Sequence, residues 1–195
     1  TFPPGDFSYA VISEFGSVLG STKKFQLASV KSVSFPYPLI GEIEILKTNN
    51  EKVIETSPPK LGKVWLDKRL ASLLEVNTGE KINIGDKDFT IGGIILAESD
   101  RGAGSFAFAP KAIMNSADLK ETNVIQPGSR VRYSYVFTGS QENIKLLENF
   151  FQSIKKPGDE ITTPGNESSP LGRAIKRASN FFLLGALLAI ILSSL

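Results

Sequence analysis

The chain contains neither cysteine nor histidine. That absence excludes disulfide frameworks, thiol nucleophiles, Ser-His-Asp triads and zinc sites built on thiolate or imidazole, and with them much of enzyme chemistry. It says nothing about redox compartment, because a cysteine-free chain persists in either. Methionine is almost missing too. The single one is Met114, so Thr1 is not a translation start, and the sequence reads as a processed product or, more readily, an excerpt of a longer protein. Acid is absent only from the last stretch: residues 171–195 hold Arg173, Lys176 and Arg177 without a carboxylate, while residues 1–170 carry 19 basic against 20 acidic groups. A near-neutral body with no basic stripe argues against nucleic acid as a partner. The N-terminus, TFPPGDFSYA, has neither the basic nor the apolar region of a signal peptide.

What is there is enough for a packed core: 195 residues, 41% hydrophobic and 22% charged. The most apolar segment closes the chain. From Ala178 to Leu195 there is no charge over 18 residues, and as a helix this run would extend roughly 27 Å against a hydrocarbon core of about 30 Å. A soluble core helix keeps a polar face, whereas Phe181, Phe182, Leu183, Leu184, Leu187, Leu188, Ile190 and Ile191 cover every side. We read residues 181–195 as the start of a transmembrane helix, cut at Leu195, with those eight side chains embedded in the membrane. Ahead of it, SSPLGRAIKRASN predicts a helix capped by Ser168 or Ser169, with Pro170 in the first turn. Its apolar Leu171 and Ile175 oppose Arg173, Lys176 and Arg177, the pattern of an amphipathic interfacial helix whose cations meet lipid phosphates. Residues 165–180 are thus linker and interfacial helix.

Upstream the chain is rich in strand patterns. VISEFGSVLG and KKFQLASVKSVSF alternate, and Phe35-Pro36-Tyr37-Pro38 ends the second, since proline has no donor for a ladder. GEIEILK places Ile43 and Ile45 opposite Glu42 and Glu44, and Asn49-Asn50 turns the chain into KVIE, giving a hairpin. After Pro58-Pro59, Lys63 to Leu66 is a short strand, and Asp67 caps a helix with Leu70, Leu73 and Leu74 on one side, ended by Thr78-Gly79. KINIG and DFTIGGIILA form a second hairpin, with Ile82 and Ile84 inward and Gly92-Gly93 marking a bulge or close packing. Residues 98–109 are a loop with exposed aromatics, and a short helix is expected from Pro110 to Met114. SRVRYSYVFTG is the strongest strand pattern, with Val131, Tyr133, Tyr135 and Phe137 on one face. Ser140 then caps a helix carrying Ile144, Leu147, Phe151 and Ile154, Pro157-Gly158 stops it, and ITT returns as a strand to complete a right-handed βαβ unit. The whole reads as α+β.

Catalytic constellations are wanting. The acidic pairs Glu42 with Glu44 and Asp86 with Asp88 stand two apart on strand or turn, where they share a solvated face, and the Asp86 spacing lacks the other ligands of a calcium loop. Gly102-Ala103-Gly104 has no strand-to-helix setting and no following Lys-Ser/Thr, so it is not a phosphate loop. Neither enzyme activity nor a cofactor is expected, and any energy source lies elsewhere.

Three stretches carry a resemblance: LASVKSVSFPYPLIGEIEI at 27–45, DRGAGSFAFAPKAIMNSADL at 100–119 and IQPGSRVRYSYVF at 125–137. With WLDKRLASLLEVNTGEKINIG and GRAIKRASNFFLLGALLAIIL, they resemble the extracytoplasmic MacB-like core domain of FtsX-like ABC transporter permeases, most nearly the YbbP-type subfamily. The resemblance implies two lobes: a ferredoxin-like βαβ lobe from residues 1–39 and 119–164, and a β-rich inserted lobe over 40–118. It implies a permease subunit of the cytoplasmic membrane with this domain on the extracytoplasmic side. There it would couple ATP hydrolysis by a cytoplasmic ABC ATPase to export or extraction of a hydrophobic or lipid-like substrate by mechanical transmission. Membrane lipid and an extracytoplasmic protein are the further expected partners, with Phe106 and Phe108 as candidate partner or substrate contacts. Positive charge beside a membrane segment favours the cytoplasm, but soluble stretches longer than about 60 residues translocate largely regardless of charge. The alternative from another class is a membrane-anchored, non-enzymatic adaptor domain presenting the same aromatics.

Overall fold

The computed structural model describes residues 3, 5–99, 109–163, 178, 181 and 182. The chain divides into two compact units, one running from Gly5 to Ile144, the other combining Thr1–Pro4 with Lys145–Leu195. The larger unit is built on one mixed sheet. Its strands are β1 (Phe7–Gly20), β2 (Phe25–Val33), β3 (Ile43–Leu46), β4 (Lys52–Glu55), β5 (Lys63–Asp67), β6 (Lys81–Ile84), β7 (Lys87–Glu98), β8 (Lys111–Asn115) and β9 (Val131–Gly139). Neighbours follow the order β4-β3-β7-β5-β8-β2-β1-β6, and β9 lies against β1 beside β6. The α+β expectation therefore holds. Between residues 5 and 163 the described helices are α1 (Lys68–Leu74), a 3-10 segment at Ser116–Thr122, and α2 (Gln141–Ile154).

Alternation along the strands sends side chains to opposite faces, and the sheet is apolar on both. Val64, Leu66, Ala112 and Met114 join Phe15, Leu19, Val30, Ile82, Ile84, Phe89 and Ile91 in one cluster, covered by Leu70, Ala71 and Leu74 of α1. Trp65 and Ile113, between those residues in sequence, belong to a second cluster with Ala10, Ile12, Val33, Tyr37, Ile43, Ile45 and Ile95. The sheet is buried on two sides through its middle, which is why β8 reads as a continuous apolar run rather than an alternating one.

Both predicted hairpins are present, β3 with β4 and β6 with β7, with Ile43, Ile45, Ile82 and Ile84 buried as expected. Gly92 is the extra residue of a bulge: the β5 register steps from Val64↔Ile91 to Trp65↔Gly93. A Cβ on Gly93 would stand 2.8 Å from Ile45 Cδ1, so glycine there admits the neighbouring strand. Asp67 caps α1 through a 2.6 Å hydrogen bond from the Leu70 amide.

Three expectations are corrected. Residues 111–115 form strand β8, not a helix from Pro110 to Met114; a five-residue apolar run suits either, and β2 and β5 supply ladder partners on its two sides. Helix α1 ends at Leu74, with Glu75 left-handed, four residues before Gly79, and Leu73 points outward while Ala71 takes its place in the core. Residues 161–163 form no strand, so the βαβ unit lacks its second strand. The Pro157-Gly158 turn instead closes on itself, with the Lys156 amide donating to Asp159 Oδ2 at 2.9 Å. On β9, Tyr133 and Tyr135 are 60% and 55% exposed. On α2, Leu147 is buried while Ile154 is exposed. In the second unit Phe150 and Phe151 stack edge to face, with centroids 5.5 Å apart.

Candidate functional site

The least expected feature of the larger unit is a buried ionic cluster where β2, β7 and β8 come together. The Glu98 carboxylate, at the end of β7, accepts from Lys31 Nζ at 3.1 Å and the Tyr37 hydroxyl at 3.1 Å on one oxygen, and from Lys111 Nζ at 2.9 Å on the other. Lys31 Nζ also donates to the Tyr37 oxygen at 2.6 Å. Side-chain exposure is 2% for Lys31, 5% for Glu98 and 12% for Lys111. Charges so far from water interact strongly and are costly to leave unmatched, so the cluster specifies how three strands and the Pro36-Tyr37-Pro38 loop meet. It reaches further: the Lys111 amide donates to Asp67 Oδ2, the carboxylate whose other oxygen caps α1. The pattern of VKSV gives no hint of this, since a lysine in an alternating strand reads as solvent-facing.

A second cluster ties the β6–β7 turn to the 3-10 segment. Lys87 Nζ contacts Asp118 Oδ1 at 2.6 Å and Glu121 Oε2 at 2.7 Å, and buried Asp118 also accepts from the Gly62 amide at 2.9 Å. Hydrogen bonds to Asp118 first and Glu121 second raise the Lys87 pKa above its ordinary value. At the far end of β1, Lys24 meets Glu75 at 2.6 Å and Ser21 Oγ donates to the Leu74 carbonyl, fastening the β1–β2 turn to the end of α1. The Lys24 hydrogen bond, with its positive charge, lowers the Glu75 pKa.

Beside that turn, Val18, Phe25 and Leu27 are exposed, and Val18 pairs with Leu27 across the ladder. The acidic pairs behave as surface groups. Glu44 lies 3.7 Å from Lys52, Asp86 accepts from Asn123, and among the described residues no set of three acidic side chains is placed to hold a metal.

Of the membrane and partner-contact residues expected from sequence, the structure describes two: Phe181 and Phe182 are helical and 77% and 76% exposed. Leu171, Arg173, Ile175, Lys176, Arg177, Leu183, Leu184, Leu187, Leu188, Ile190 and Ile191 lie outside the described residues, as do Phe106 and Phe108. Among the described residues no helix is long and apolar enough to cross a membrane.

The sequence is related to the ABC transporter permeases. The chain is 36% identical over 172 residues to YbbP, an ABC transporter permease of Escherichia coli K-12, and is thereby related to the YbbP-type permeases. The match takes in 86% of this chain and 20% of YbbP, so the chain spans about a fifth of that relative. No family model matches. Among solved structures, a permease domain from Porphyromonas gingivalis has the same fold, with a TM-score of 0.50 and 13% identity over 87% of this chain and 81% of that one. The periplasmic region of MacB from Actinobacillus actinomycetemcomitans aligns with a TM-score of 0.48 and 13% identity, over 75% of this chain and 66% of that one.

Proposed function

We propose that this chain is the extracytoplasmic domain of an ABC transporter permease subunit, which passes the motion of a membrane helix, driven by a cytoplasmic ATPase partner, to export or extraction of a hydrophobic or lipid-like substrate. The observation that carries the proposal is the 36% identity to YbbP across 86% of the chain. The domain itself hydrolyses nothing in this reading. Residues 1–39 with 119–164 make the porter-type lobe and 40–118 the inserted lobe. Leu171, Arg173, Ile175, Lys176 and Arg177 lie in the headgroup zone, the apolar run after Phe181 enters the membrane, and Phe106 and Phe108 meet an extracytoplasmic partner or substrate.

The sheet suits transmission. Strand β1 has 14 residues, a span of roughly 43 Å at about 3.3 Å per step. It pairs with β9 from Phe7 to Phe15, with β2 from Ile12 to Gly20, and with β6 at Leu19 and Gly20. A displacement applied near Phe7 is carried to the β1–β2 turn through ladder hydrogen bonds, so the unit moves as a lever.

Location is tested by placing a single cysteine at Ser168, in a parent protein otherwise free of thiols, and treating intact spheroplasts with a membrane-impermeant maleimide. Labelling before lysis is the expected result; labelling only after lysis overturns the assignment of the domain to the outer side. Coupling is tested by replacing residues 164–170 with a longer Gly/Ser tract. Transport is then expected to fall while ATP hydrolysis continues, and unchanged transport refutes the lever.

A further inference from the structure

Residues 60–63 form a turn held from three sides. The Lys63 amide donates to the Lys60 carbonyl, the Thr90 amide to the Gly62 carbonyl, and the Gly62 amide to Asp118 Oδ2, each at 2.9 Å. The backbone that carries Lys60 and Lys63 is therefore fixed, and both side chains border a cleft of about 410 Å³. Trp65, Thr90 and Gly92 line it as well, as do Lys47, Thr48 and Asn49 of the turn after β3. The volume lies in the lower part of the roughly 300–1,000 Å³ range of small-molecule sites. A Cβ on Gly92 would stand 3.4 Å from the Lys63 stem and 3.6 Å from Trp65 Cδ1, so the glycine leaves space beside the indole edge.

The charges around this cleft do not cancel. Lys47 is paired with Glu55 at 2.9 Å, while Glu51, whose hydrogen bond from the Asn49 amide at 2.8 Å leaves its charge in place, offsets only one of the two remaining lysines. Lys60 and Lys63 have no ion pair and no side-chain hydrogen bond among the described residues. Two ammonium groups on a rigid turn, next to hydroxyl and amide groups and an aromatic edge, suit a ligand with concentrated negative charge and a polar body. A phosphate monoester, with a charge of about −1.5 to −2 at pH 7 and three strong acceptor oxygens, matches two ammonium groups better than a singly charged carboxylate. We propose that the cleft between Lys47, Lys60, Lys63 and Trp65 binds a phosphate-bearing ligand, either a soluble phosphate ester or the headgroup of an anionic lipid. This does not depend on the transport reading.

The chain supplies its own probe, since Trp65 is the only tryptophan. The full chain is titrated with glycerol 3-phosphate and, separately, with phosphatidylglycerol vesicles against phosphatidylcholine vesicles, following tryptophan emission. The expected result is a saturable change with at least one probe, weakened about tenfold or more in the Lys60→Gln/Lys63→Gln variant, as loss of two charge-assisted contacts requires. Both lysines are exposed, so the variant's melting temperature should equal the parent's. Saturation by the soluble ester assigns that source; saturation by phosphatidylglycerol vesicles alone assigns the headgroup. No saturable change with either probe, or equal affinity in parent and variant, overturns the site.

Discussion

Replacing Glu98 with glutamine removes one negative charge from a place where two buried ammonium groups lie 3.1 and 2.9 Å from it, while keeping the side chain's size. The structural consequence follows from where the charge sits. A surface pair would lose a few tenths of a kcal/mol, but Lys31 and Lys111 are held in a low-dielectric interior, and removing one partner of a buried pair costs about 3–5 kcal/mol. For a protein of this size each kcal/mol moves the melting temperature by about 2–4 °C, so the lower end of that cost corresponds to a fall of about 6–12 °C. Urea denaturation followed by tryptophan emission and circular dichroism should give the same loss, with an unchanged slope. The variant Lys31→Met/Glu98→Leu/Lys111→Met separates charge matching from volume. Replacing a whole buried ion cluster by apolar groups of similar size is often close to neutral, so it should regain most of the lost stability. A Glu98→Gln protein within about 0.5 kcal/mol of the parent would refute the view that this cluster holds the three strands together.

Lys87 has a raised pKa, so its contribution is present in full below the ordinary value of 10.5 and is lost as pH rises through the higher folded-state value. Melting temperature scanned from pH 9 upward should fall less steeply in Asp118→Asn than in the parent. Gly85 sits at φ +58 with the space for a Cβ occupied by the Thr122 carbonyl oxygen, whereas Gly128, at φ +92, faces nothing within 4 Å. Calorimetry should show a loss of about 3 kcal/mol or more for Gly85→Ala and about 1 kcal/mol for Gly128→Ala. Phe25→Ser and Leu27→Ser, on exposed positions, should shift stability by no more than about 0.5 kcal/mol in urea melts.

Local pairing was legible in the sequence. The β3–β4 and β6–β7 hairpins, the Asp67 cap and the Gly92-Gly93 irregularity each follow from residues within a few positions of one another. The order of the sheet was not, because β2 against β8 and β8 against β5 join segments that no short-range pattern links. The same limit explains β8 itself: Lys111 to Asn115 becomes a strand only because edges are waiting on both sides. Buried ion clusters escape for a different reason. Lys31, Glu98 and Lys111 each look like ordinary surface charge, and only their convergence from three strands makes them interior. On β9 the alternation puts Tyr133 and Tyr135 on one face without saying whether anything covers it, and both are more than half exposed.

The pairing of β1 with β9 joins Phe7 to Gly139, the first strand of the sheet to the last. During synthesis or export, the first strand therefore emerges well before the partner that will occupy one of its flanks. Until Val131–Gly139 arrives, Phe7 to Phe15 presents a row of unsatisfied amides and carbonyls, the kind of edge that recruits other chains. Closure of this seam is the late, long-range step of assembly, and loop-closure entropy makes such steps slow. Fragments ending before residue 131 should then aggregate or be degraded, and mutations that slow the arrival of β9 should lower yield more than they lower the stability of the finished domain.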